Sequence, residues 1–205
     1  MAQYRPRLPE GEDYTMLMLI AGLILFLGLH SIGIVAPHWR KRMLLHAGEG
    51  AWKGTLGVLN LLGFILIVVG FIHSRHSPVL LYVPPTWLRH VTFLLMLPVF
   101  PLLLAAYLPG TIRARSKHPM LLAVKLWATA HLLANGMLAD VLLFGSFLLW
   151  AIIDRISLKR REPEAVRSTT PSRYYDVLAV VLGLALYALF LYKLHAVLFG
   201  VSPLA

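Results

Sequence analysis

The chain contains no cysteine among its 205 residues. This absence excludes a disulfide framework, an iron–sulfur cluster, zinc held by thiolates and the covalent attachment of a c-type haem. A metal ion or a haem iron would therefore be held by histidine, carboxylate or backbone ligands. Nine histidines are available for such a role.

Charged residues are scarce, and acidic ones most of all, with 9 Asp and Glu against 19 Lys and Arg. Charged residues make up 14% of the chain and hydrophobic residues 59%. A soluble domain has about a quarter charged and about half apolar residues. The basic residues fall in short gaps between apolar runs rather than on one soluble face, so we expect a lipid bilayer as the environment and no nucleic-acid binding.

Motifs of soluble enzymes are also absent. No glycine-rich phosphate loop, no Ser-His-Asp ordering and no repeat of fixed period occurs. What the sequence does contain is six apolar segments of about 20 residues, the length that crosses a hydrocarbon core as a helix. It therefore predicts an all-α integral membrane bundle of about six transmembrane helices, forming one domain over residues 1–205. The predicted spans are approximately residues 16–36, 54–73, 88–108, 119–135, 137–153 and 176–198.

Basic residues predict the orientation of the bundle. The alternate gaps between spans hold 13 Lys and Arg on one side and four on the other. Because cytoplasmic loops carry the excess of Lys and Arg, we predict that both termini lie outside. The one sizeable polar linker, residues 154–175, then lies in the cytoplasm.

Two histidines, His30 and His131, lie well inside predicted spans, where imidazole is too short to extend far toward water. In such a site the neutral ring is favoured, and this form coordinates a metal through one nitrogen while the other donates a hydrogen bond. The residues leave open that each ring only bonds a carbonyl or hydroxyl on another helix. The other histidines, apart from His118, fall at span ends or in loops: His38, His46, His73, His76, His90 and His195.

Helical spacing places Trp127, His131 and Asn135 on one stripe, because they follow at i, i+4 and i+8. We expect this stripe to face inward. On the first span, small residues around His30 would permit close approach of a neighbouring helix or of a flat ring. These small residues are Gly22, Gly28 and Gly33.

The depth of each histidine in the membrane restricts which of them can coordinate the same iron. If the first span ends at Ala36, His30 lies about 9 Å and His131 about 20 Å from the cytoplasmic face. If the span continues into the basic residues 40–42, His30 lies about 15 to 18 Å deep and the pair can meet. His118 is the fallback ligand, although Lys117-His118-Pro119 is typical of a helix start.

Several stretches together form a specific pattern. HPML at 118–121 precedes LWATAHLLANG at 126–136 and LLFG at 142–145, while GLHS at 28–31 and GEGAWKG at 48–54 come earlier. This pattern resembles the NnrU family over most of the chain. The resemblance implies a protein of the bacterial inner membrane that is linked to denitrification, through nitrite and nitric oxide reductases or a redox partner.

The resemblance also implies a cofactor, haem b, held between His30 and His131. The helical spacing described above would place Trp127 and Asn135 beside it. The plant relative is a zeta-carotene isomerase, so a haem-dependent cis–trans isomerase with an apolar polyene substrate is a second possible function. This chain departs from that relative because it has no histidine between Leu132 and Leu194. A third function is a membrane assembly or scaffold protein without haem.

Overall fold

The computed structural model describes residues 12–161 and 171–204 of the chain. Arg5 and Arg7, and residues 162–170 of the predicted linker, lie outside these described residues. The helices are α1 (Glu12–Val35), α2 (Pro37–Ser74), α3 (Leu88–Met96), α4 (Val99–Ala105), α5 (Thr111–Ser116), α6 (Pro119–Ala134), α7 (Leu138–Arg161), α8 (Arg173–Leu189) and α9 (His195–Phe199), with a π-helical turn at Phe190–Leu194. Within the described ranges the extended pairing is one isolated bridge between Leu80 and Met137.

The predicted all-α membrane fold is confirmed. Five helical segments of the described chain are long and apolar enough to cross a membrane: Tyr14–Val35, Pro37–Ser74, Leu88–Ala105, Leu138–Arg160 and Arg173–Phe199. The remaining predicted span is α6, a shorter apolar helix of 16 residues. The count of six is thus approximate, with five long segments and one short one.

Helix α2 begins 17 residues before the predicted span. Pro37 is its first residue, a position at which the missing N–H has no intrahelical partner to lose. The helix bends at Gly48, whose φ of 78° and ψ of 158° are not helical. We call residues 37–47 the first arm of α2 and residues 49–74 the second arm.

Two further predicted spans are interrupted. The span at 88–108 consists of α3 and α4, separated at Leu97 and Pro98, because proline lacks the N–H that would continue the ladder. The last span begins at Arg173, passes through the π-helical turn and ends in α9 at Phe199. The length of the apolar segments therefore predicted these spans but not the positions at which their helices are interrupted.

Contacts divide the chain into two compact units, the first holding residues up to Leu80 together with Met137–Leu143, and the second holding Leu81–Gly136 and the chain from Phe144 onward. The prediction of a single domain stays a prediction.

In the first unit, α1 and the second arm of α2 pack antiparallel. Their backbones approach closely at three glycines, because no side chain separates the helices there. The contacting pairs are Gly22 with Ile67, Gly63 with Phe26, and Gly70 with Leu19.

The second unit is built around α4, α6 and α8. Its core contains Val99, Leu102 and Ala123. The Thr92 hydroxyl of α3 donates a hydrogen bond of 3.0 Å to the Ala130 carbonyl of α6. A buried hydroxyl bonded in this way joins two helices without leaving a polar group unsatisfied.

Large apolar side chains are exposed along the helices of both units. Leu17 and Val58 in the first unit, and Leu94, Leu149 and Val181 in the second, are each more than half exposed. In water, such extensive apolar exposure is a liability, whereas hydrocarbon tails solvate it well. The exposed surface is therefore that expected of a protein in a lipid bilayer.

Candidate functional site

His131 lies in α6 of the second unit and is partly buried. Its Nδ1 is 2.8 Å from the Trp127 carbonyl oxygen, one helical turn earlier. With Nδ1 engaged by a carbonyl, Nε2 is the nitrogen that can coordinate a metal. The ring stacks on Phe144 of α7, with centroids 4.5 Å apart and planes 26° apart.

Aromatic rings surround this imidazole. Trp127 lies 5.4 Å from the His131 ring centroid and meets Phe144 and Phe147 edge to face, at 4.9 and 5.5 Å. Edge-to-face aromatic packing fixes ring orientations and keeps a site apolar. The cluster of Trp127, His131, Phe144 and Phe147 is the aromatic cluster of the second unit.

Asn135, the C-cap residue of α6, forms hydrogen bonds to the last turn of this helix. Its amide Nδ2 donates a 2.9 Å hydrogen bond to the His131 carbonyl, which also accepts the Asn135 backbone N–H at 2.9 Å. The Tyr82 hydroxyl donates to the carbonyls of Leu132 and Asn135. The predicted stripe of Trp127, His131 and Asn135 is thus linked by hydrogen bonds, while its role in cofactor binding stays a prediction.

His30 lies in α1 of the first unit and is exposed. Its Nδ1 is 2.7 Å from the Phe26 carbonyl, and the two rings lie 4.4 Å apart. Phe64, on the second arm of α2, lies 6.4 Å from Phe26. The glycines near His30 differ in role, because Gly22 contacts α2 directly whereas a Cβ at Gly28 would meet no atom within 4 Å.

The structure gives the shorter of the two alternatives for the first span, since α1 ends at Val35. His30 is then five residues, or about 7.5 Å along the axis, from the end of its helix. His131 is 12 residues, or about 18 Å, from the start of α6 at Pro119. The two histidines belong to different compact units, so their use as a pair of ligands stays a prediction and each is tested separately.

The bond between Nδ1 and a carbonyl is not by itself specific. His46 and His73 make the same intrahelical contact, with the Arg42 and Val69 carbonyls at 2.9 and 2.8 Å. Both of these histidines are exposed. His131 differs from them in its partial burial and in its aromatic cluster, and these features single it out as a ligand candidate.

His118 and Asp140 both lie at the starts of helices. His118 is the N-cap residue of α6 with Pro119 as the first helical residue, as the sequence indicated. It lies 13 residues, about 20 Å along the axis, from His131, so it could serve only in place of His131, and its use as the fallback ligand stays a prediction. Asp140 accepts the Met137 N–H at 3.2 Å in the first turn of α7. No group of three or more His, Asp or Glu able to hold a metal ion occurs among residues 12–161 and 171–204.

The long apolar helices and the exposed apolar surface define a multi-pass helical membrane protein, with a partly buried histidine in an aromatic cluster as its most distinctive chemical feature. A family model described as "NnrU protein" matches residues 18–203, nearly the whole chain. The chain therefore belongs to the NnrU family. No curated protein and no solved structure matches it.

Proposed function

We propose that this NnrU protein binds haem b through His131 and His30 in a bacterial inner membrane, and that it supports the reduction of nitrite or nitric oxide during denitrification. The observation that carries the proposal is the setting of His131, with Nδ1 bonded to the Trp127 carbonyl and the ring stacked on Phe144. This is the arrangement in which a histidine presents Nε2 to a metal.

The residues around His131 fit a haem. Trp127, Phe144 and Phe147 supply an apolar, aromatic surface of the kind that packs against a porphyrin, and no thiolate or carboxylate ligand is required. Asn135 holds the carbonyl of His131 and so fixes the last turn of α6. A haem bound here would supply redox chemistry, and the protein would hold it through histidine in apolar surroundings.

The contacts of His30 in the first unit support its role as the second ligand. Its Nδ1 is likewise engaged by the i−4 carbonyl, and Phe26 packs against the ring. The ring is exposed within the first unit. His30 and His131 are also the two positions that the family resemblance implies.

The first test is the absorption spectrum of the purified protein in detergent, oxidised and reduced, after expression with ample haem. We expect a low-spin b-type spectrum, lost or converted to a high-spin form in His131→Ala and in His30→Ala. Added imidazole should restore the low-spin form in each variant, because it can replace the missing ligand.

The matched controls are His46→Ala and His73→Ala, which remove the same intrahelical contact from exposed histidines. Both should keep the wild-type spectrum. A colourless wild-type protein would contradict haem binding. Unchanged spectra in both His30→Ala and His131→Ala would contradict the ligand assignment alone.

The link to denitrification requires a separate test in the bacterial host. A deletion strain should consume nitrite or nitric oxide more slowly than its parent under oxygen limitation. The wild-type chain should restore the rate and His131→Ala should not. Normal consumption by the deletion strain would contradict the denitrification role and leave haem binding to be judged from the spectra.

A further inference from the structure

The bend at Gly48 creates a cleft between the two arms of α2 in the first unit. The cleft has a volume of about 640 Å³, and residues from both arms line it. Trp39 and Trp52, which are 13 positions apart in sequence, have ring centroids 5.5 Å apart. In a straight helix they would be separated by about 20 Å, so the first arm folds back along the second.

The register of α1 against α2 locates this cleft at a membrane boundary. Gly22 meets Ile67, Gly63 meets Phe26, and Gly70 meets Leu19, so the residue numbers of each pair have the same sum. The same register places Val35, the last residue of α1, opposite Gly54. Residues 49–53 therefore lie beyond the end of α1, in the interfacial region where tryptophan is typically found, and the cleft extends from there to Asn60.

Cations and apolar side chains line the cleft together. Arg40 and Lys41 come from the first arm and Lys53 from the second, while Leu44 and Leu45 form an apolar wall. Lys53 is paired with Glu49 at 2.6 Å. Arg40 and Lys41 have no ion pair within the part of the chain that the structure describes.

We infer that this cleft binds the phosphate-bearing headgroup of an anionic phospholipid from the surrounding leaflet. The two cations complement the phosphate, and basic residues at a membrane surface are each worth about 1 kcal/mol of attraction to anionic lipid, or about fivefold in affinity. The leucine wall and the neighbouring bilayer accommodate the acyl chains, which a soluble phosphate compound lacks. The inference is independent of haem binding.

The test uses the full-length protein reconstituted in phosphatidylcholine vesicles. Phosphatidylglycerol with brominated acyl chains is added in steps, and a parallel series receives brominated phosphatidylcholine. Bromine quenches tryptophan fluorescence, and Trp52 lines the cleft while Trp39 packs against Trp52. We expect half-maximal quenching at a several-fold lower fraction of phosphatidylglycerol than of phosphatidylcholine.

The double variant Arg40→Gln, Lys41→Gln should lower this preference by roughly fivefold or more. The charge-preserving variant Arg40→Lys, Lys41→Arg should retain it. Lys159→Gln, Arg160→Gln is the matched control, because it removes the same charge from exposed residues at the end of α7. Retained preference in the first variant, or equal loss in the matched control, would overturn the inference.

A variant that binds phosphatidylglycerol more tightly cannot be explained by misfolding. Glu49→Gln removes the carboxylate that lines the cleft and releases Lys53, so the preference for phosphatidylglycerol should increase. A decrease or no change would contradict the cleft as the site. Displacement of the brominated lipid by soluble glycerol phosphate would overturn the lipid assignment in favour of a site for soluble anions.

Discussion

At the scale of single residues, the surroundings of His131 depend on contacts within α6 and on contacts from Phe144 and Tyr82 of the same unit. Trp127 and Asn135 follow from helical spacing, since residues four apart share a face. The stacking of Phe144 on the imidazole does not, because it depends on how α7 packs against α6. The contacts of Tyr82 with the last carbonyls of α6 join residues about 50 positions apart, and no local pattern indicates them.

Gly136 shows how closely the chain approaches itself at this end of α6. Its carbonyl accepts the backbone N–H groups of Leu81 and Tyr82 at 2.9 and 3.2 Å, and a Cβ on Gly136 would collide with the Tyr82 carbonyl oxygen. We expect Gly136→Ala to destabilise the protein by about 1–3 kcal/mol, because backbone rather than a flexible side chain would have to move. Thermal unfolding in detergent, followed by tryptophan fluorescence, measures the change.

The control for this prediction is Gly145→Ala, nine residues further along in α7. A Cβ there would meet no atom within 4 Å. Alanine is favoured over glycine inside a helix by about 0.5–1 kcal/mol, so this variant should be as stable as the wild type or slightly more so. An equal loss of stability in both variants would show that the contact with Tyr82 is not the cause.

At the scale of helices and turns, the short helix α5 depends on a contact from α8. The two carboxylate oxygens of Asp176 accept the backbone N–H groups of Thr111 and Ile112, at 3.0 and 2.9 Å. Gly110, the N-cap residue of α5, allows this approach because a Cβ would collide with the same carboxylate. A negative charge at a helix N-terminus is stabilising, and its hydrogen bonds are stronger than neutral ones.

We predict that Asp176→Asn weakens this attachment by about 1–3 kcal/mol, because an amide has one acceptor oxygen and no charge. The exposed basic residues Arg113, Arg115 and Lys117 make α5 and its end a trypsin target. Cleavage there should accelerate several-fold in the variant, as judged by fragment mass. Glu49→Gln, which removes a carboxylate from an exposed ion pair, should leave the rate at α5 unchanged.

The first arm of α2 is the element that the sequence prediction missed. Apolar runs define the predicted spans, and the basic residues 40–42 interrupt such a run in this stretch. The helix forms nonetheless, because Pro37 is well placed as a first residue and Gly48 allows the backbone to turn at a φ of 78°. Apolar length thus predicts which segments cross a membrane, but not which polar segments are also helical.

Gly48→Ala tests the bend. A Cβ at this position would meet no atom within 4 Å, so the cost arises from the positive φ alone, at about 1–3 kcal/mol. We expect the arms to separate, with loss of the exciton signal of the Trp39–Trp52 pair in circular dichroism and a weaker preference for phosphatidylglycerol. Gly50→Ala, also in open space but without a positive φ, should retain both properties.

At the scale of the whole molecule, the number of crossings depends on α6. This helix has 16 residues, about 24 Å, against a hydrocarbon core of about 30 Å. A short apolar helix can still cross by local thinning of the bilayer, at a modest cost. The distribution of basic residues decides between crossing and not crossing.

If α6 crosses, the two sides of the membrane carry 13 and four Lys and Arg outside the spans, counting the N-terminal segment. If it does not, the six basic residues within 155–173 move to the opposite side, Lys125 is counted with residues 113–117, and the totals become eight and ten. Only the first arrangement gives the strong excess on one side that orients membrane proteins. We therefore predict that α6 crosses and that the two termini lie on the same, outer side.

Reporter fusions test this topology directly. A periplasm-active reporter fused after Ala205 should be active, and the same reporter inserted after Arg161 should be inactive, with a cytoplasm-active reporter giving the opposite pattern. If α6 stayed on one side, a C-terminal fusion would report the cytoplasm, provided that the N-terminus still lay outside. Replacing the six basic residues within 155–173 by glutamine should weaken the preference for the predicted orientation, because the cost of moving that segment across the membrane would fall.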